Sequence, residues 1–132
     1  MRALLDTHVL LWWFAEGNRL PRVHKRAISA AGPDNPLLVS DISLWEIATL
    51  HELGRIRIAL PLREWLERAT APPLVRLVGI SPAIAAELAS LPPEFHRDPA
   101  DRIIVSTARV LGATLLTRDR RIIDSQLVPT LG

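Results

Sequence analysis

The sequence predicts an α/β fold, a central and mostly parallel sheet of four to five strands flanked by helices. Short apolar runs alternate with longer segments of helical period, from one end of the chain to the other. Helix-starting Ser, Asp or Pro and helix-stopping Gly punctuate them. At 132 residues and 48% hydrophobic content, the chain is expected to form one domain, 1–132, with a real core.

Residues 2–5 read as a short buried strand. Asp6 or Thr7 can cap a helix to about residue 15, apolar nearly all round and therefore buried or paired, with Gly17-Asn18 as its stop. Pro21 suits the first turn of a second helix, expected to about residue 31. Pro36 precedes a strand over 37–40, and Ser40 or Asp41 caps a helix to residue 53 that Gly54 stops. Residues 55–58 alternate like a short extended arm. Pro61 opens an amphipathic helix with Leu62, Trp65, Leu66 and Ala69 along one face. Pro72-Pro73 ends it and leads to a strand over 75–80.

Ser81-Pro82 starts a helix to about residue 90, followed by a polar loop over 92–97. The stretch Asp98-Pro99-Ala100-Asp101 begins another helix, closed by Gly112, and residues 113–117 form the fourth strand. The tail 126–131 offers a short edge strand, weakened by Pro129. There is no repeat or low-complexity tract.

Four acids stand out against apolar sequence: Asp6 after Leu4-Leu5, Glu46 within Leu44-Trp45-Glu46-Ile47, Asp101 before Ile103-Ile104-Val105, and Asp119 after Leu115-Leu116-Thr117-Arg118. In a parallel sheet, strand ends and helix starts share the carboxyl edge, where ligands bind. Asp6 and Asp119 follow strands, while Asp101 and Glu46 lie in early helical turns. All four are therefore expected at one edge. Asp6, Asp101 and Asp119 each have a second local explanation as helix caps or first-turn acids. Glu46, with Ile42, Leu50 and Leu53 around it on the wheel, resists that account and is expected to be buried. Gathered carboxylates repel one another, and a divalent cation is the usual reason to gather them. Oxygen-only ligation favours Mg²⁺ or Mn²⁺ over zinc. The chain has no cysteine, and His8, His24, His51 and His96 show no paired spacing, so each reads as a surface or supporting residue.

Sixteen basic residues face fourteen acids, and Lys25 is the only lysine. With four acids set aside for a metal, the surplus is six positive charges, which suits a polyanion and Arg–phosphate contacts. A compositional preference for Arg explains the same count. Asp6 and His8 interrupt the apolar N-terminus and no cleavage site follows, so a cytoplasmic protein without a leader or membrane span is expected.

The motifs Leu4-Leu5-Asp6-Thr7-His8-Val9-Leu10, Ser40-Asp41-Ile42-Ser43-Leu44-Trp45-Glu46, Asp98-Pro99-Ala100-Asp101-Arg102 and Leu115-Leu116-Thr117-Arg118-Asp119 resemble those of the PIN-domain nucleases, in particular the VapC-type toxins of toxin–antitoxin pairs. The resemblance covers nearly the whole chain and implies a PIN-like three-layer fold. It implies an endoribonuclease dependent on Mg²⁺ or Mn²⁺, with Asp6, Glu46, Asp101 and Asp119 as the metal-binding, catalytic pocket. Thr117 fits the hydroxyl residue that often precedes the last Asp. Asp98 is either a first-turn cap or a fifth acid near metal-bound water. His8 stands where many members have Asn or Ser. Arg97, Arg102, Arg118, Arg120 and Arg121 flank the acids and are candidates for holding RNA phosphates. The implied partners are an RNA substrate, a VapB-like antitoxin and a second copy of the chain. Surplus aromatic surface on Trp12, Phe14, Trp45 and Trp65 would serve these protein partners, or the core. Rival readings are a housekeeping PIN nuclease, a catalytically idle PIN-like binding module, and metal-independent cleavage with His96 as general base.

Overall fold

A computed structural model describes residues 1–15, 17 and 19–132. Its five strands are β1 (Ala3–Leu5), β2 (Leu37–Ser40), β3 (Val75–Val78), β4 (Thr114–Leu116) and β5 (Thr130–Leu131). Every pairing is parallel, in the order β3-β2-β1-β4-β5. The helices are α1 (Thr7–Phe14), α2 (Arg22–Ser29), α3 (Asp41–Glu52), α4 (Leu62–Ala69), α5 (Pro82–Glu87), α6 (Pro99–Leu111) and α7 (Arg120–Ser125). A 3-10 turn, Leu88–Ser90, extends α5.

Alternation along the strands splits the core into two layers. Leu4, Leu38 and Leu115 pack with Ile84 of α5, Ile104, Val105 and Ala108 of α6, and Ile122 of α7. Ala3, Leu5, Leu37, Val39 and Leu116 pack on the other side with Val9 and Leu10 of α1, Ile28 of α2, Ile47 of α3 and Ala69 of α4. Central strands buried on both faces need no polar alternation, so β1, β2 and β4 are apolar runs. The expected sheet is thus five-stranded, wholly parallel and covered on both faces.

The chain builds β1, β2 and β3 in one direction, then returns to lay β4 on the free side of β1. The gap outside the carboxyl ends of β1 and β4 is a topological switch point, where a crevice opens without a crossing connection. Asp6 follows β1 directly and Thr117 follows β4 directly.

Local differences from the sequence reading have plain causes. β3 stops at Val78, and Gly79 and Ile80 are exposed. Residues 55–58 form no strand; Ile56 and Ile58 pack against the second core layer instead. The expected Gly17-Asn18 stop of α1 falls partly outside the described residues, at Asn18. β5 tolerates Pro129 because the proline precedes the strand and contributes only its carbonyl, which accepts from the Leu115 amide at 2.9 Å. The sequence reading missed α7, capped by Asp119 and ended by Gln126 at φ 55°. Buried His24 of α2 closes the β5 edge. Its Nε2 lies 2.6 Å from the Leu131 carbonyl, so that nitrogen carries the proton, and burial holds the imidazole pKa down. Among the described residues no helix is long and apolar enough to cross a membrane.

Candidate active site

The four predicted acids meet. Asp6, Glu46, Asp101 and Asp119 line one cavity of about 200 Å³ together with Asp98, Thr7, His8 and Arg121, with Leu11 and Leu50 as its apolar wall. They arrive from the ends of β1 and β4, the second turn of α3 and the first turn of α6.

Asp6 is the most tightly held. Its backbone amide bonds the Leu116 carbonyl at 3.0 Å, so its position is fixed by the sheet. Oδ1 accepts the Thr7 amide at 2.8 Å, capping α1, and Oδ2 accepts the Thr117 hydroxyl at 2.7 Å. The same Thr117 oxygen accepts the Asp119 amide at 3.0 Å, so one buried hydroxyl orients two of the acids. His8 accepts the Arg118 amide at Nε2, 3.0 Å away, which leaves its proton on Nδ1, 3.5 Å from Asp6 Oδ2.

Glu46 is held by a hydroxyl relay. The Thr7 hydroxyl donates to Glu46 Oε1, so its own oxygen must accept from Ser43 Oγ, 2.9 Å away. Ser43 and Glu46 stand one turn apart on α3, on the face that meets α1. Burial raises the Glu46 pKa, the Thr7 bond lowers it, and the charges of Asp6, Asp101 and Asp98 raise it further.

Asp101 sits in the first turn of α6, where Asp98 caps the helix by accepting the Asp101 amide at 3.1 Å. Its Oδ2 lies 2.7 Å from His96 Nε2. Burial pushes its pKa up to about 6; the His96 bond opposes this, and the charges of Asp6, Asp98 and Asp119 add to it. Asp119 behaves in the opposite way. Burial would raise it, but the Arg121 fork and backbone amide hold it below the ordinary carboxylate range. That fork spans both oxygens of Asp119, at 3.3 and 3.0 Å, and reaches 3.6 Å from Asp101 Oδ2.

Two expectations are corrected by these placements. Glu46, expected to be the buried acid, is only half-buried, whereas Asp6 and Asp101 are 3% and 8% exposed. Apolar neighbours in α3 did not mean burial, because Trp45 and Leu53 point outward at 58% and 59% exposure. Of the five arginines, only Arg121 lines the cavity. Arg97 and Arg118 are exposed, and Arg120 pairs with Asp124 at 2.9 Å on the surface. Arg102 turns inward: Nη1 donates to the carbonyls of Phe95 and His96 at 3.1 and 3.3 Å, and its guanidinium lies over the Phe95 ring. It clamps the 92–97 loop and is not presented to a phosphate. The sequence reading missed Thr7 and Ser43, although a hydroxyl beside Asp6 and another three residues before Glu46 were the available signal.

The donor set suits a hard divalent cation. Five carboxylates from four elements surround a small cavity, and burial raises the pKa of two of them, Glu46 and Asp101, with neighbouring carboxylates adding to it, a cost that a bound cation would relieve.

A family model, the PIN domain, matches residues 3–125. Ribonuclease VapC22 of Mycobacterium tuberculosis is 44% identical over 119 residues, covering 90% of this chain and 88% of its own length. Among solved structures, the chain is similar to VapBC2 from Rickettsia felis bound to a DNA fragment from their promoter (TM-score 0.74, 16% identity, 99% and 98% of the two chains covered). FitAcB from Neisseria gonorrhoeae gives a TM-score of 0.71 at 18% identity, with 98% and 96% covered. At these identities the structural likeness concerns the fold.

Proposed function

Because the chain belongs to the PIN-domain family, we propose that it is a metal-dependent endoribonuclease acting as the toxin of a toxin–antitoxin pair. The observation that carries this reading is the convergence of Asp6, Glu46, Asp101 and Asp119 on one cavity at the sheet's switch point. The relative VapC22, a ribonuclease, supports RNA as the substrate.

Asp6, Glu46, Asp101 and Asp119 would hold Mg²⁺ or Mn²⁺, with Asp98 at the margin. A cation held there would acidify water for use as the nucleophile and would supply positive charge beside the phosphate. The protein's own contribution is preorganisation. Thr117 fixes Asp6 and Asp119 relative to each other, while Thr7 and Ser43 fix Glu46, so little reorganisation remains for the reaction itself. Arg121 stands at the cavity rim with an exposed side chain and takes a non-bridging phosphate oxygen when its carboxylate partners turn to the cation. Arg97 and Arg118 are exposed and would add positive charge for the RNA backbone.

The partner reading rests on the apolar surface of α1, α3 and α4. Phe14, Trp45 and Leu53 are exposed, and Trp12, Trp13 and Trp65 are half-buried. This surface serves a VapB-like antitoxin and a homodimer contact, in a cytoplasmic protein. The test is direct. Purified protein freed of antitoxin cleaves structured RNA with Mg²⁺ or Mn²⁺ and is silent in EDTA; cleavage that persists in EDTA refutes the metal mechanism. Expression alone arrests growth, and co-expression of the neighbouring reading frame restores it. Harmless expression would favour a housekeeping nuclease.

A further inference from the structure

The cavity is not equally rich in donors throughout. Among the described residues, one set of three metal-ligating side chains has its donor atoms mutually within 4.8 Å, and it includes a histidine: His96, Asp101 and Asp119. Bonds of about 2.1 Å place the ligands of one ion about 3 to 4.2 Å apart, so this set is close to the spacing one ion requires and can close on it by small side-chain movements.

His96 is also built into place. It belongs to the 92–97 loop between the 3-10 turn and α6, a segment with no regular hydrogen-bond ladder of its own. Phe95 anchors it in the first core layer, and the inward-turned Arg102 holds the Phe95 and His96 carbonyls. The imidazole is thereby fixed with Nε2 toward the carboxylates, its side chain only 18% exposed. A rotating surface histidine needs no such clamp.

We infer that His96 is a direct ligand of the cation held by Asp101 and Asp119, and that this nitrogen donor biases the pocket toward Mn²⁺ over Mg²⁺. The inference rests on the metal-dependent reading above. Imidazole suits transition ions, whereas Mg²⁺ takes oxygen donors and sheds water reluctantly. To reach the ion, Nε2 gives up its hydrogen bond to Asp101 Oδ2 and that proton, and the neutral imidazole keeps its one proton on Nδ1. Arg121, which bridges Asp119 and Asp101 in the structure, is displaced from between them; its contacts there are to those carboxylates and the side chain is otherwise solvated.

The test uses the full chain, titrated separately with Mn²⁺ and Mg²⁺ by calorimetry, and pulsed electron paramagnetic resonance of the Mn²⁺-bound protein. Wild type binds Mn²⁺ more tightly than Mg²⁺, and bound Mn²⁺ shows coupling to a histidine nitrogen. His96→Gln can still donate to Asp101 but offers no imidazole. It loses the nitrogen coupling and weakens Mn²⁺ about tenfold or more, while Mg²⁺ changes by no more than about threefold. Equal weakening of both ions, or Mn²⁺ affinity retained in His96→Gln, makes His96 a hydrogen-bond partner of Asp101 only and overturns the assignment. Should the variant fail to fold, absence of nitrogen coupling in wild type is sufficient to overturn it. If wild type binds neither ion, the metal-dependent reading itself falls; if both bind without nitrogen coupling, only the role of His96 does.

Discussion

Asp101→Asn should stabilise the metal-free protein at neutral pH. Burial and three neighbouring carboxylates raise Asp101 from 3.8 to about 6. A raised carboxylate pKa means the native state binds a proton more tightly than the unfolded chain does. Its contribution is therefore fully present below about pH 4 and is lost as pH rises through about 6. The gap between 3.8 and about 6 corresponds to roughly 3 kcal/mol at pH 7. Asparagine removes that penalty but forfeits the favourable first-turn charge on α6 and part of the His96 bond, together about 1 kcal/mol. A net gain of about 2 kcal/mol remains, or about 8 °C in Tm for a chain of this size. The assay is thermal unfolding of wild type and variant in EDTA from pH 4 to 7.5. The two curves should nearly coincide at pH 4 and separate through pH 6, and millimolar Mn²⁺ should stabilise wild type alone at pH 7.5. A variant no more stable than wild type at pH 7.5, or a difference independent of pH, would refute the account of a strained carboxylate cluster.

The remaining predictions probe the supporting residues. Thr117→Val removes the hydroxyl that orients Asp6 and Asp119, and should cost about 2 kcal/mol in denaturant unfolding and about tenfold or more in cleavage rate. Arg121→Gln should tighten divalent-ion binding by calorimetry, because a competing guanidinium leaves Asp119 and Asp101. It should also weaken RNA binding and reduce its salt slope by about 1. Arg102→Met should lower activity with the RNA salt slope unchanged, since this guanidinium serves loop carbonyls and not phosphate. Trp45→Asp, at an exposed position on α3, should leave folding within about 0.5 kcal/mol and abolish co-purification with the antitoxin.

The layered sheet was legible because its elements are marked by chemistry that acts locally. Proline or serine opens α4, α5 and α6, Gly112 closes α6 in the left-handed conformation at φ 62°, and the central strands are too apolar to face water. Helix α7 escaped because Arg120–Ser125 is too short to display a helical period and buries only Ile122. Its existence depends on the Asp119 cap, which the sequence offers without a helical period after it, and on Gln126, which announces no helix end in sequence. The inward turn of Arg102 was equally invisible, since it answers two loop carbonyls whose positions exist only in the fold.

The acids themselves raise a sharper point. In sequence, capping and metal binding look like competing explanations for Asp6, Asp101 and Asp119, and Glu46 looks like the one residue that needs a cation. The structure removes the competition for Asp6 and Asp119. Asp6 caps α1 through Oδ1, and Asp119 caps α7 through Oδ1, so the second oxygen of each is turned away from the helix end, where it meets Thr117 and Arg121 respectively. Asp98 takes the cap of α6 and frees the Asp101 carboxylate to face the cavity. A cap fixes a carboxylate's orientation against a helix end, and a parallel sheet sets helix starts beside the switch point. The same backbone amides that make Asp a good cap therefore deliver its second oxygen, already aimed, to the place where a cation can be held.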